Sequence, residues 1–301
     1  MDRMISSDQI NRRYLDSWLF EVRHIGSTAA DTGMDLFGHH FLTPVMTGAL
    51  SHLNRFCSLD TGRDGMAEYA QGARDAGAVC FSGMGKPDEL ARMLDTGAQV
   101  IKIIKTYRDR ESIYARIRHA EEHGALAVGI DIDHAFNRDS VYDRVDEMDI
   151  SPITYEELKD LCSSTRLPFI VKGVLSVQDA ALCVRSGAGG IVVSHHNGRM
   201  DCTVPPLYML PQIVKTVGGT LPVFVDCSLQ NGQDIYRCMA FGAAACCVGR
   251  PLMQPLREKG AAGVTEKLNE ITRDLSYTMS MTGTENLSKI SCSVLHRLKD
   301  D

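Results

Sequence analysis

Eight short apolar runs recur along the chain, and their spacing admits few architectures. They are FLTPVM (41–46), AVCFSG (78–83), QVIKII (99–104), ALAVGIDI (125–132), FIVKGV (169–174), GGIVVSH (189–195), VFVD (223–226) and AACCVGR (244–250). Each is rich in Val, Ile, Ala or Cys and lacks polar alternation, the pattern of strands covered on both faces. Amphipathic segments lie between them, such as ESIYARIRHAEEHG, TYEELKDLCSS and SVQDAALCVRSG. The last shows both helix boundary signals, Ser176 at its start and Gly187 at its end. Strict alternation of strand and helix makes the strands parallel with right-handed crossovers. Eight such units predict a (β/α)8 barrel, the TIM barrel of the α/β class, rather than an open sheet. An open doubly wound sheet would show an early Gly-rich phosphate loop, but Gly83-Met84-Gly85 is followed by Asp88 where a third glycine belongs.

On this reading the 301 residues form a single domain. Residues 1–40 cap the barrel's base, 41–250 supply the eight units, and 251–301 add a helix over about 263–282 and a polar tail.

The net charge is −6 with no long Lys/Arg cluster, which argues against nucleic acid or an anionic membrane surface as a partner. No stretch approaches the roughly 18 apolar residues of a membrane span, and the polar start MDRMISSDQINRRYLDSWLF is unlike a signal peptide. A cytoplasmic location is expected. None of the ten cysteines form a CxxC pair, and Cys80, Cys162, Cys183, Cys238, Cys246 and Cys247 sit in apolar runs. Neither a metal site nor a disulfide framework is expected.

Chemistry in a barrel belongs at the strands' C-terminal ends, where Ser82, Lys102, Lys105, Asp131, Asp133, Lys172, Ser194, His195, His196, Arg199, Asp226 and Arg250 gather. Charges emerging directly from apolar runs, as Lys172 and Asp131/Asp133 do, are costly if buried without a partner. A His/Arg pair after one strand, a Lys on another and an Asp on a third can supply base, anion clamp, electrophile and orienter.

The stretches PFIVKGVLSVQDAALCVRSGAGGIVVSHHNGR and VFVDCSLQNGQDIYRCMAFGAAACCVGRPLM resemble the fifth to eighth strands of FMN-dependent 2-hydroxy-acid oxidases and dehydrogenases, such as glycolate and lactate oxidase. The resemblance runs from about 35 to 290, is strongest over 168–255, and points to the short members from anaerobic bacteria. It implies an FMN cofactor, a small anionic 2-hydroxy-acid substrate and a homo-oligomer of four or more subunits. It makes His196 the base, Asp133 its orienter, Lys172 the cation beside the reduced flavin ring, and Arg199 the carboxylate clamp. Pro44, Val45 and Met46 would lie along the flavin face and Ser82 near its polar atoms. Asp226 would bind the ribityl hydroxyls, and Gly249 and Arg250 the phosphate. Lys105, Asp131, Ser194, Ser228 and Gln230 complete the set expected beside the cofactor.

The chain departs from the family pattern in places. The family's Ser-Asn-His-Gly-Gly-Arg reads Ser194-His195-His196-Asn197-Gly198-Arg199. Its Asp-Gly-Gly-Ile/Val-Arg reads Asp226-Cys227-Ser228-Leu229-Gln230. Two phosphate-approaching glycines and one phosphate arginine are thus replaced, the latter a loss of about 1.5–3 kcal/mol. Lys105 stands where the family's tyrosine after strand three is expected, and Arg138 and Arg144 are candidates for its second carboxylate-binding arginine. Two alternatives stay open: a flavin-less barrel with a binding or regulatory role, and an isomerase or lyase on the same scaffold.

Overall fold

The computed structural model describes residues 6–139, 141–197 and 199–298. Eight parallel strands form the central sheet: β1 (Val45–Thr47), β2 (Cys80–Ser82), β3 (Val100–Lys105), β4 (Ala127–Asp131), β5 (Phe169–Val174), β6 (Gly190–Val193), β7 (Val223–Val225) and β8 (Ala245–Val248). Strands β2 to β8 pair each with the next in sequence, and β8 pairs with β1. The β1–β2 seam is closed by Thr47 N–H to Val79 O at 3.1 Å and Gly83 N–H to Leu50 O at 2.7 Å. The predicted barrel is present.

Helices cover the outside: α1 (Ser7–Asp16), α2 (Gly65–Asp75), α3 (Pro87–Asp95), α4 (Arg110–Glu122), α5 (Tyr155–Ser163), α6 (Val177–Arg185), α7 (Pro206–Val217), α8 (Gly232–Ala240) and α9 (Ala261–Met281). Their starts follow local chemistry. Ser176 accepts from the Asp179 amide, Asn231 from that of Asp234, and Thr154 forms a reciprocal capping box with Glu157.

Strand alternation divides the core in two. Met46, Phe81, Ile101, Ile103, Ala127, Ile170, Val192, Phe224, Ala245 and Cys247 fill the barrel, whereas Val45, Cys80, Val100, Val128, Val171, Ile191, Val223 and Cys246 pack outward against the helices. Cys80, Cys183, Cys238, Cys246 and Cys247 are buried free thiols within these cores.

Two boundaries differ from the sequence reading. The run 41–46 is two elements. Phe41 ends a short antiparallel hairpin (Met34–Leu36 with His39–Phe41), and β1 begins only after Pro44, which has no N–H for a ladder. Met34, Leu36 and Phe41 join the inner core and plug the base of the barrel. The segment before residue 40 does not cap the base alone, however. Its helix α1 crosses to the opposite end, where Asn11 donates to Cys227 O at 2.9 Å and Arg12 to Ser228 O at 3.1 Å.

Candidate functional site

Alternation within the barrel decides which side chains reach its mouth. One position above the last inward apolar residue stand Gly48, Lys105, Asp131, Lys172, Ser194, Asp226 and Gly249. Lys105 and Lys172 are both in register with Asp131 across β3, β4 and β5. The apolar barrel thus ends in a layer of charge. Lys105 Nζ lies 2.7 Å from Asp131 Oδ2, and Lys172 Nζ lies 3.5 Å from Asp226, 3.9 Å from Asp133 and 3.4 Å from Ser194 Oγ.

His196 hangs over this layer. It and Asn197 adopt left-handed backbone (φ 53° and 42°), which turns the chain back across the mouth after β6. Its Nδ1 is 2.6 Å from Asp133 Oδ1 and 3.3 Å from Asp131 Oδ2, leaving Nε2 as the reactive nitrogen. Lys172 and burial push the imidazole's pKa down, but the two carboxylates outweigh them and it stands above its usual 6.5. Burial and the neighbouring Asp131 charge raise Asp133. Asp131 is buried too, yet Lys172 and Lys105 hold its carboxyl well below the ordinary range. Lys172 is buried, and Asp131, Asp226 and Asp133 keep it firmly protonated.

Gly173 makes this cluster possible. It has φ +94°, and a Cβ there would lie 2.6 Å from Asp133 Oδ2. The β5–β6 register shifts between Lys172 and Val174, so this residue steps out of the ladder.

Asp131, Asp133 and His196 offer ligand atoms within 4.8 Å of one another, a grouping not anticipated from the sequence, where no metal site was expected. Lys105 and Lys172 already supply the opposing charge, which disfavours a cation there.

Two cavities open at the mouth. The larger, about 820 Å³, is lined by Gly48, Ala49, Leu50, Lys172, His196, Asp226, Cys227, Ser228, Gln230, Gly249 and Arg250, with Asp8 and Arg12 of α1. A flavin fits its inner part. Lys172 and Asp226 line it and present a buried cation and a buried carboxylate to a polar ligand, while Asp133 Oδ2, just behind, accepts no hydrogen bond and has only Lys172 Nζ at 3.9 Å. Cys227 and Ser228 keep φ of 78° and 59°, so the loop retains a glycine-like backbone although both glycines are replaced. Burial and Asp226 hold the Cys227 thiol protonated. At the phosphate end the fit is incomplete, because Arg250 is already paired with Asp8 at 2.7 Å.

The smaller cavity, about 510 Å³, shares Ala49, Leu50 and His196 with the first. It is lined further by Lys105, Asp131, His134, His52, Arg55 and Arg144. Burial, then Lys105, lowers the pKa of His134 to about 4. Neutral His134 therefore donates from Nε2 to Asp143 at 2.9 Å and leaves Nδ1 as an unpartnered acceptor.

Three sequence expectations need correction. Pro44, Val45 and Met46 are buried in the barrel wall, and the chain reaches the cavities at Gly48-Ala49-Leu50. Ser82 points outward and accepts from Lys102, so neither faces the mouth; burial among the helices lowers the Lys102 pKa to about 8. Arg199 does not reach a cavity wall: it donates to Phe136 O at 2.6 Å and Asp143 at 2.9 Å. Of the proposed second arginines, Arg144 lines the smaller cavity, whereas Arg138 faces Asp201 at 3.8 Å. Gly198 lies outside the described residues. Sequence reasoning missed Asp8, His134, Gly173 and Gly48–Leu50. Only Gly173 carried a signal, a glycine inside a strand directly after a charged residue.

Comparison with known proteins shows the family. The family model described as FMN-dependent dehydrogenase matches residues 5–154 and 140–297. The 4-hydroxymandelate oxidase of Amycolatopsis orientalis is 29% identical over 298 residues, covering 86% of this chain and 81% of that enzyme. The 2-hydroxyacid oxidase of Dictyostelium discoideum is 40% identical over 144 residues, 48% of this chain but only 37% of that protein. A solved structure of mandelate oxidase with (S)-2-phenylpropionate superposes with a TM-score of 0.85 at 28% identity, covering 97% of this chain and 90% of the other.

Proposed function

The chain belongs to the FMN-dependent dehydrogenase family, and from that premise we propose that it oxidises a small 2-hydroxy acid to the 2-keto acid. The observation that carries the reading is His196, oriented through Nδ1 by Asp133 at 2.6 Å, at the junction of the two cavities and above Lys172.

FMN, held along Gly48–Leu50, Lys172, Ser194, Asp226, Ser228 and Gly249, supplies the two-electron acceptor when bound. The chain's own residues do the rest. Nε2 of neutral His196 takes the hydroxyl proton of a substrate seated in the smaller cavity. Asp133 fixes the tautomer and stabilises the imidazolium that forms. Lys172 presents a permanent positive charge where negative charge accumulates on reduction. Lys105, held by Asp131, and Arg144 at the rim attract the carboxylate, and the neutral His134 Nδ1 accepts a hydrogen bond from a polar substrate group. Ala49, Leu50 and Met84 form an apolar wall for the substituent.

We place the protein in the cytoplasm, a reading supported by the buried free thiols. Among the described residues no helix is long and apolar enough to cross a membrane. Self-association into a tetramer or larger ring is proposed from the family resemblance, and sedimentation velocity tests it.

The test of function is the visible spectrum of protein loaded with excess FMN and gel-filtered, followed by anaerobic addition of 2-hydroxy acids. Retained flavin bands that bleach with one equivalent of substrate are expected. Failure to retain any flavin would overturn the reading, as would retained flavin that no hydroxy acid bleaches.

A further inference from the structure

The phosphate corner contains an anion supplied by the chain itself. Asp8, on the first turn of α1, receives Arg250 Nη1 on Oδ2 and Arg250 Nη2 on Oδ1, both at 2.7 Å. Ser228 Oγ donates to Oδ1 at 2.6 Å. The Asn197 side chain, oriented to satisfy both neighbours, donates to Asp8 Oδ1 at 2.7 Å and accepts from Arg250 Nη2 at 2.9 Å. A forked guanidinium, a hydroxyl and an amide converge on one carboxylate, a donor set suited equally to phosphate oxygens.

This carboxylate is held in place by buried polar docking of α1. Ser7 donates to Met200 O at 2.6 Å and accepts from the Thr203 amide at 3.2 Å. Asn11, fully buried, donates to Cys227 O, and Arg12 bridges Ser228 O to the buried Asp234. The helix thus reaches both segments that shape the corner, at Met200 and Thr203 and at Cys227 and Ser228. The same corner has Gln230 where the resemblance expects an arginine; of the cations lining the cavity, Arg12 is engaged by Asp16 and Asp234 and Lys267 by Glu270, so Arg250 is the one whose fork a phosphate and Asp8 would share.

We propose that Asp8 is an internal stand-in for the cofactor's phosphate: it competes for Arg250 and Ser228, so the site discriminates weakly between FMN and riboflavin. Two anions cannot share one guanidinium fork without repulsion, and a bound phosphate gains the corner only by displacing the first turn of α1. This inference rests on the flavin reading above.

The test titrates the full-length chain, dialysed free of flavin, with FMN and with riboflavin, following flavin fluorescence. For the wild type the two dissociation constants are expected within about tenfold of each other. Both D8N and D8A remove the competing charge, so FMN should tighten by about tenfold to a hundredfold, the value of one charge-assisted contact. Riboflavin should change by less than about threefold. Asp16→Asn, on the same helix but paired with Arg12 rather than Arg250, is expected to leave the ratio unmoved and controls for looser helix docking. Flavins that bind with a ratio unchanged in D8N and D8A, or changed as much in D16N, would overturn the inference and leave the flavin reading standing. No binding of either flavin by any variant would overturn the flavin reading, and this inference with it.

Discussion

His196 Nδ1 stands 2.6 Å from Asp133 Oδ1 and 3.3 Å from Asp131 Oδ2, so one imidazole answers to two carboxylates on the same strand end. Lys172 and burial oppose protonation, but the pair of acids prevails and the imidazole pKa rises above 6.5. A base must be neutral to act, so the acid limb of kcat/KM is expected above pH 6.5. Asp133→Asn should move that limb to lower pH and reduce kcat by about a hundredfold or more. Folding carries the opposite sign. A raised histidine pKa stabilises the fold fully below its unfolded value, and this contribution is lost as pH rises through the folded value. Thermal stability should therefore fall over the window in which activity rises. A limb that Asp133→Asn leaves in place would show that another group titrates.

Gly173 governs the same contact from below. Alanine there meets Asp133 Oδ2 at 2.6 Å and must also hold φ +94°. The carboxylate has to move, and a displacement of about 1 Å at an orienting group costs about a hundredfold in kcat. Gly173→Ala is expected to lose that much activity while flavin absorbance is retained. Stopped-flow reduction of the flavin measures the loss, and an unchanged reduction rate would show that the backbone absorbs the methyl group.

Arg144 separates substrate binding from chemistry. It lines the smaller cavity from a hairpin whose turn, Asp146-Glu147, has both φ angles positive. It lies at the rim, where a carboxylate enters, whereas Arg199 is already committed to Asp143 and Phe136 O. Arg144→Ala should raise KM about tenfold with kcat nearly unchanged, the pattern of a lost uniform binding contact. Asp143→Ala offers the contrast: if Arg199 is the true clamp, freeing it lowers KM, and Arg144→Ala has no effect.

The barrel was legible because eight apolar runs cannot be placed otherwise, and Lys172, Asp133 and His196 were legible because charge directly after such a run requires a partner. Their convergence needed no fine register. What failed depended on register. Pro44 hid the break between hairpin and strand, so the flavin-facing segment was read three or four residues early. Ser82 ends β2 and Lys102 lies mid-strand in β3, and both point outward, because alternation assigns Phe81 and Ile103 to the interior. The resemblance makes Arg199 the clamp, but Asp143, in the loop after β4, takes its guanidinium instead. Asp8 was beyond local reasoning: an acidic residue in the first turn of a helix is ordinary helix chemistry, and only the docking of α1, some 220 residues away in sequence, makes it part of the corner.

The Lys105–Asp131 pair carries the last prediction, on stability. Both are almost fully buried, 2.7 Å apart, and paired in register across β3 and β4. Burial alone would raise the Asp131 pKa, but Lys172 and Lys105 reverse it and hold the carboxyl far down. That depression stabilises the fold above the ordinary carboxylate range and is lost as pH falls through the folded value. Lys105→Met leaves Asp131 with Lys172 and His196 as its counter-charges. The cost should be about 3 kcal/mol, the lower end of the range for breaking a buried pair, because Lys172 remains. Lys105→Met/Asp131→Leu removes both charges and should be less destabilised than the sum of the two single variants by about 1–3 kcal/mol. Urea unfolding at neutral pH measures the cycle. Strict additivity would show that Asp131 is balanced by Lys172 alone, and would leave Lys105 free to meet the substrate.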